Sequence, residues 1–376
     1  MSAMNSGPQG AVSQDPAANQ NGSAGQGAGA GAAEGAPLPD SNAVAGQTTP
    51  LQGNGFAFRK IVICGVGLIG GSLALALRRA GCVGPSSTIV GVGRSHASVD
   101  RAVELGVVDS ACTFDDVAGL ASALDGADIV LLAAPVAQTG ALLDVMLPHL
   151  QLQTIVTDAG STKGDVIAAA RASLGSRVGQ FVPAHPIAGR ERSGVDAALE
   201  SLYDGRNVVL CPLDENRGDD VARVDAMWQA TGARTHRMTA AQHDGVFASV
   251  SHLPHLLSFA LVDQILDSPD AALKFGFAAG GFRDFTRIAA SSPEMWRDIF
   301  LANRDAVLAE LDGYTAVLAR LRAAIERGDG ESLSAVFTRA RDAREAWSDR
   351  PGTGAAGQAP VVQAPATGRT DANPGN

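Results

Sequence analysis

The sequence predicts an α/β protein: a doubly wound parallel sheet followed by an all-helical domain. Three observations predict it. Short β-branched runs alternate with helical stretches from about Arg59 to Met238. A glycine loop closes the first strand run and opens the first helix. Beyond Thr239 the strand runs vanish and helical periodicity takes over.

Residues 1–57 consist mainly of Gly, Ala, Gln, Asn, Ser and Pro, with too little apolar surface to offset chain entropy, and read as a disordered tail. The span 348–376 has the same composition and the same reading. Within 58–238, the runs Lys60–Cys64, Thr88–Val92, Ala127–Ala133, Thr154–Thr157, Arg177–Pro183 and Asn207–Leu210 read as buried parallel strands. Within 239–347, helices are expected at Gln242–Asp263, Trp296–Arg320 and Glu331–Trp347.

The chain has 376 residues, 45% of them apolar, enough for two domains each with its own core. A net charge of -10, with Lys and Arg spread singly or in pairs, excludes a broad basic face for nucleic acid. The four cysteines, Cys64, Cys82, Cys112 and Cys211, have no CxxC spacing, which points to reduced thiols, a reducing compartment and no zinc. No apolar stretch reaches the roughly 20 residues of a membrane span, and no signal peptide opens the chain, so a cytoplasmic protein without membrane contact is expected.

The loop Gly65-Val66-Gly67-Leu68-Ile69-Gly70 follows Ile61–Cys64 directly and leads into a helical run to Ala80. That context makes it a Rossmann-like dinucleotide loop: Gly65 permits the tight turn, Gly67 lets the backbone approach a pyrophosphate, and Gly70 lets helix pack on strand. An NAD site usually places an acid at the end of the second strand. Here that end reads Gly93-Arg94-Ser95-His96, with no acid until Asp100. Arg94 and Ser95 suit a 2′-phosphate, so NADP is expected to be accepted alongside NAD.

Two later loops, from Asp158 to Lys163 and from Ala184 to Glu191, lie at carboxyl ends of strands, where open parallel sheets bind ligands. His185 is the only one of the seven histidines in such a loop, and imidazole suits proton transfer near neutral pH. Ser161 can fix its tautomer or share the hydrogen bond to a substrate hydroxyl. The helical domain opens with His243, His252 and His255. His252 and His255 are one turn apart, but no third ligand stands nearby, so a wall of donors for an anion fits better than a metal. The segment from Gly280 to Ala289 offers Arg283, Asp284 and Arg287, with Trp296 close behind, and Arg287 can grip a carboxylate bidentately.

Taken together, the glycine loop, DAGSTK, HPIAG, SHLPH and GFRDFTRIA, in this order, resemble the prephenate and arogenate dehydrogenase family of tyrosine biosynthesis over 58–347. The resemblance implies oxidative decarboxylation of prephenate to 4-hydroxyphenylpyruvate, or of arogenate to tyrosine, with NAD or NADP. It implies His185 as the base on the ring hydroxyl, Ser161 as its companion, Arg287 on a substrate carboxylate, His255 as a substrate contact and Trp296 as pocket wall. It implies that Glu191, Arg283 and Asp284 gate access, and that the helical domain forms a homodimer.

This sequence departs from the family at two places. The ribose position lacks its acid, and Arg190 stands where many relatives carry a small polar residue; a charge there favours the keto acid of prephenate over the ammonium of arogenate. Two other classes share the plan. A β-hydroxyacid dehydrogenase-like enzyme would need a lysine acid on the helical domain, and Lys274 is the only lysine there. A non-catalytic NAD(P)-binding regulator would keep the glycine loop without needing His185, Ser161 and Arg287 around it.

Overall fold

The computed structural model describes residues 56–348 apart from Glu191, so the tail readings lie almost wholly outside the described residues. Phe56, inside the stretch read as tail, is buried beside Phe58.

Up to the end of the first sheet the elements run β1 (Lys60–Cys64), α1 (Leu68–Arg79), β2 (Thr88–Gly93), α2 (His96–Glu104), β3 (Ser110–Thr113), α3 (Val117–Leu124), β4 (Ile129–Leu132), α4 (Thr139–Met146), β5 (Ile155–Asp158), α5 (Gly164–Leu174) and β6 (Phe181–Val182). The six strands form one parallel sheet in the order β3-β2-β1-β4-β5-β6. The order reverses between β1 and β4, which places the ligand crevice at their carboxyl ends. Alternation along β1 sends Ile61 and Ile63 into one core layer, with Leu73, Leu77 and Trp228, and Val62 and Cys64 into the other, with Leu120, Leu143 and Val166.

A second sheet follows from β7 (Ala184–Pro186), β8 (Asn207–Leu210), α6 (Gly218–Ala230) and β9 (Arg234–Arg237). β7 pairs antiparallel with β8, and β8 parallel with β9. Asn207–Leu210 is therefore a strand as expected but not a member of the large sheet. The expected strand Arg177–Pro183 shrinks to two residues, because Gly175–Gln180 coils as a 3-10 turn in which Arg177 donates to the carbonyls of Leu150 and Gln151. β3 and β9 escaped the sequence reading: SACT and RTHR are short and polar, without the β-branched run that marked the others.

The helical part comprises α7 (Ala240–Phe247), α8 (Leu253–Leu266), α9 (Ala271–Gly276), α10 (Gly280–Thr286), α11 (Pro293–Ala302), α12 (Arg304–Glu326) and α13 (Gly330–Ser348). The expected helix Gln242–Asp263 is thus two helices fused through a π turn at Ala248–His252. Pro254 explains the turn: it has no N–H for the carbonyl four residues back, and its ring would collide with it in an α-helix. The expected helix Trp296–Arg320 is likewise broken, at Asn303, whose side chain is engaged elsewhere.

The fused run Ala240–Leu266, 27 residues, is long and apolar enough to cross a membrane by length and composition, which corrects the expectation that no stretch is. It also carries His243, Asp244, His252 and His255 and bonds to the first turn of α5. Apolar surface on α8 stays open to solvent in this single chain, where only Leu253 and Ser258 are buried.

Candidate active site

The site begins at the end of β1. Gly65 takes a φ of 98°, and a Cβ there would stand 2.6 Å from the Ala133 carbonyl oxygen at the end of β4. A Cβ at Gly70 would meet the Gly65 carbonyl oxygen and, at 2.6 Å, Ile63 Cγ2. Both glycines are thus demanded by packing. Gly67 is different: nothing lies within 4 Å of the position its Cβ would take. It is also the N-cap of α1 and has no side chain to occupy the free amides of the first turn. An open, uncapped helix start at the switch point fits a dinucleotide pyrophosphate.

The residues around the loop hold it in place. Val66 packs against Gly91 of β2, and Leu68 and Ile69, half-buried, form the first turn of α1. The Tyr203 hydroxyl donates to the Ile69 carbonyl at 2.6 Å, while Ser72 Oγ accepts from the Leu199 amide. Arg94 and Ser95 follow β2 at the surface, and Ser95 is the N-cap of α2 with its hydroxyl 3.2 Å from that of Ser98.

The second half of the site is a hydrogen-bonded chain. His185, expected in a loop, sits on β7, and its Nδ1 lies 2.8 Å from Nε2 of His243 on α7. His243 is fully buried, and its Nδ1 lies 2.8 Å from Asp244 Oδ1. The Asp244 carboxylate also accepts the amides of Lys163 at 2.8 Å and Gly164 at 2.7 Å. Phe247 packs edge-on against His185 and tilted against His243.

These contacts fix the tautomers. Burial pushes the Asp244 carboxyl up, but the bonds from His243 and the two amides outweigh it and hold it below the ordinary carboxylate range. An ionised Asp244 only accepts, so Nδ1 of His243 carries the proton. Burial keeps His243 neutral against the pull of Asp244, so its Nε2 accepts, and Nδ1–H of His185 donates. Nε2 of His185 is left as a lone pair with no hydrogen-bond partner among the described residues. Burial, then the neighbouring His243, Lys163 and His252, hold the His185 imidazole well below its ordinary pKa.

Below the chain lies a buried ion pair between Lys163 and Asp158. The Asp158 carboxylate also accepts the amide of Ala184, next to His185, at 3.0 Å and that of Gly160 at 2.8 Å. Ser161 is in the same loop, half-buried. The tautomer of His185 is set by His243 rather than, as one sequence option had it, by Ser161.

The helical side continues the network. Asn303 donates to the Asp244 carbonyl at 2.8 Å and lies 3.1 Å from Nδ1 of His252. His252, pushed down to about 4 by burial, contacts Trp296 edge-on, and His255 stacks on the same indole at 3.7 Å. His255 Nδ1–H donates to the Ser251 carbonyl at 2.8 Å. Burial lowers its pKa, the Ser251 bond opposes this, and the Arg287 charge lowers it further. The indole Nε1 of Trp296 is buried with no acceptor among the described residues.

Arg283 and Arg287, with Phe275, Phe282 and Thr286, line a cavity of about 400 Å³. The segment from Gly280 is helix α10 plus a 3-10 turn from Arg287, tied to α8 by the bond from Ser258 to the Phe285 carbonyl. Arg190, Arg283 and Asp284 are exposed, and Glu191 lies outside the described residues. Lys274 pairs with Asp270 on the surface of α9. Sequence reasoning had His243 only as one of a wall of donors, and it missed Asp244, Asp158, Lys163 and Asn303 as site residues, although Asp158 and Lys163 bound a loop it had quoted.

Hydride transfer from an alcohol needs a dinucleotide held at one end and a base for the hydroxyl proton at the other; the protein is an NAD(P)-dependent dehydrogenase. The family model of the prephenate dehydrogenase nucleotide-binding domain matches residues 73–237, and that of the prephenate dehydrogenase dimerization domain matches 239–339. The chain is 38% identical over 287 residues to a prephenate dehydrogenase of Bacillus subtilis, covering 76% of this chain and 75% of the relative. It is 36% identical over 289 residues to a cyclohexadienyl dehydrogenase of Zymomonas mobilis, covering 76% of this chain and 95% of the relative. The crystal structure of an Aquifex aeolicus prephenate dehydrogenase in complex with hydroxyphenyl propionate and NAD+ superposes with a TM-score of 0.70 at 36% identity, covering 77% of this chain and 98% of that one. The chain belongs to the prephenate dehydrogenase family.

Proposed function

We propose that the protein catalyses the NAD(P)-dependent oxidative decarboxylation of prephenate to 4-hydroxyphenylpyruvate, a step of tyrosine synthesis. The observation that carries the mechanism is the tautomer of His185, whose Nε2 is the free base. Nε2 takes the proton of the ring hydroxyl as its carbon becomes a carbonyl centre. When bound, the nicotinamide accepts the hydride from that carbon. The ring carboxylate leaves as carbon dioxide, its electron pair completes the aromatic ring, and His185 returns the proton to the ring oxygen.

Ser161 shares the hydroxyl contact, and Arg287, His255 and Trp296 hold the acid groups and the ring. The stack of His255 on Trp296 and the charge of Arg287 on His255 support that grouping. Glu191, Arg283 and Asp284 control entry, and Arg190 selects the keto acid side chain. Arg190→Thr should then lower the prephenate to arogenate ratio of kcat/KM.

Arg94 and Ser95 make NADP an accepted cofactor, since no carboxylate occupies the end of β2. The working form is a cytoplasmic homodimer assembled through the helical domain of 239–347, consistent with four free, buried cysteines and the open face of α8.

The deciding experiment assays prephenate and arogenate, each with NAD and NADP, by absorbance of the reduced nicotinamide. Turnover of prephenate is expected. No turnover of either acid overturns the proposal, and at least a tenfold preference for NAD overturns the role of Arg94. His185→Asn should retain cofactor binding and lose about two orders of magnitude or more in kcat.

A further inference from the structure

Lys163 and Asp158 are 0% and 2% exposed, and they form an ion pair inside the protein next to the site. Such a pair is a weak source of stability: desolvating two ions is costly, and apolar replacement is often neutral or better. Its connections are more informative. The Asp158 carboxylate holds the Ala184 amide, one residue before His185, as well as the Gly160 amide in the loop that carries Ser161. The Lys163 amide, from the same residue that supplies the ammonium, donates to Asp244.

We infer that Lys163 is a positioning residue for proton transfer: through Asp158 its buried ammonium fixes the backbone on which His185 sits, and through its own amide it fixes the carboxylate that orients His243. The inference rests on the reading of His185 as the base. Without the ammonium, the Asp158 carboxylate loses the partner that orients it, and with it part of its hold on the two amides.

Charge acts in the same direction as geometry. The groups facing His185 are His243 from α7, His252 from the π turn and Lys163; those facing His243 include Asp244 and Asp158 as well. Among them Lys163 is the ammonium acting on His185, and its charge disfavours the imidazolium. The resting base is therefore free, and the proton it takes up is readily returned to the ring oxygen.

The test is the pH profile of kcat/KM for the full chain, with melting temperature and cofactor KM measured alongside. Removing the cation raises the His185 pKa, so the acid limb must move to higher pH. In Lys163→Met we expect a shift of about half a pH unit or more, a fall in kcat of about tenfold or more, and a cofactor KM within about threefold. A purely structural lysine would lower the melting temperature and leave the limb in place, which overturns the inference.

Should Lys163→Met fail to fold, Asp158→Asn with Lys163→Met removes both buried charges and must show the same shift. An unmoved limb in the double variant, or its failure to fold, overturns the inference. His185→Asn separates the two levels: loss of turnover there with an unmoved limb in the lysine variants rejects only the role of Lys163, whereas wild-type turnover in His185→Asn rejects the base and this inference with it.

Discussion

Nδ1 of His185 on β7 lies 2.8 Å from Nε2 of His243 on α7, so the proposed base is oriented by a residue of the helical part. His243 is oriented in turn by Asp244, and the three form an acid-imidazole-imidazole chain. His243→Leu breaks it while keeping an apolar side chain beside Phe247. We expect kcat to fall about ten- to hundredfold with cofactor KM within about threefold.

The same chain sets the pH dependence. With His185 as the proposed base, activity needs it neutral, and its pKa is depressed, so kcat/KM should remain level as pH falls through the ordinary histidine range and decline only well below pH 6.5. An acid limb centred at or above 6.5 in the pH profile contradicts this electrostatic account.

The sheet was legible where strands are buried on both faces: β1, β2, β4 and β5 are near-continuous aliphatic runs, and the glycine loop followed the first of them. β3 and β9 were not, because edge and short strands carry polar residues that pattern alone cannot tell from turns. In the site, His185 and Arg287 stood out by residue type within a motif. Asp244 and Lys163 did not, nor did the role of His243 toward His185, since these come from contacts across 58, 81 and 80 positions that no local spacing encodes.

Two glycines of the dinucleotide loop, Gly67 and Gly70, should respond differently to alanine. At Gly70 the added Cβ meets Gly65 and Ile63, so Gly70→Ala should lower the melting temperature and cofactor affinity together. At Gly67 the Cβ enters open space in the protein but occupies the pyrophosphate approach. Gly67→Ala should therefore leave the melting temperature of the apo protein within about 2 °C while raising cofactor KM about tenfold or more. Equal loss of stability in both variants would contradict the distinction.

His252 makes stability fall in mild acid. Its pKa drops from 6.5 in the unfolded chain to about 4 in the fold, chiefly through burial. Below pH 6.5 the unfolded chain therefore binds more protons than the native one, so the stabilisation present above 6.5 is lost as pH falls toward 4. The upper bound on that loss is about 3 kcal/mol. His252→Gln, which can still meet Asn303, should flatten the decline of melting temperature between pH 6.5 and 4; an unchanged slope would mean other groups carry it.

The open apolar face of the helical part makes the last prediction. Along Ala240–Leu266 the side chains of Val246, Val250 and Leu266 are exposed, and Leu256, Phe259 and Leu266 border an apolar groove of about 360 Å³. Exposed apolar surface of this extent on one helical run calls for a partner. The run also carries buried histidines and an aspartate bonded to α5, which suits a protein partner rather than lipid. A homodimer is expected by light scattering at micromolar concentration. Phe259→Glu places a charge in the groove and should shift the mass to that of a monomer while the helical circular dichroism is kept, and a monomeric mass for the wild-type chain would refute the assignment of this face.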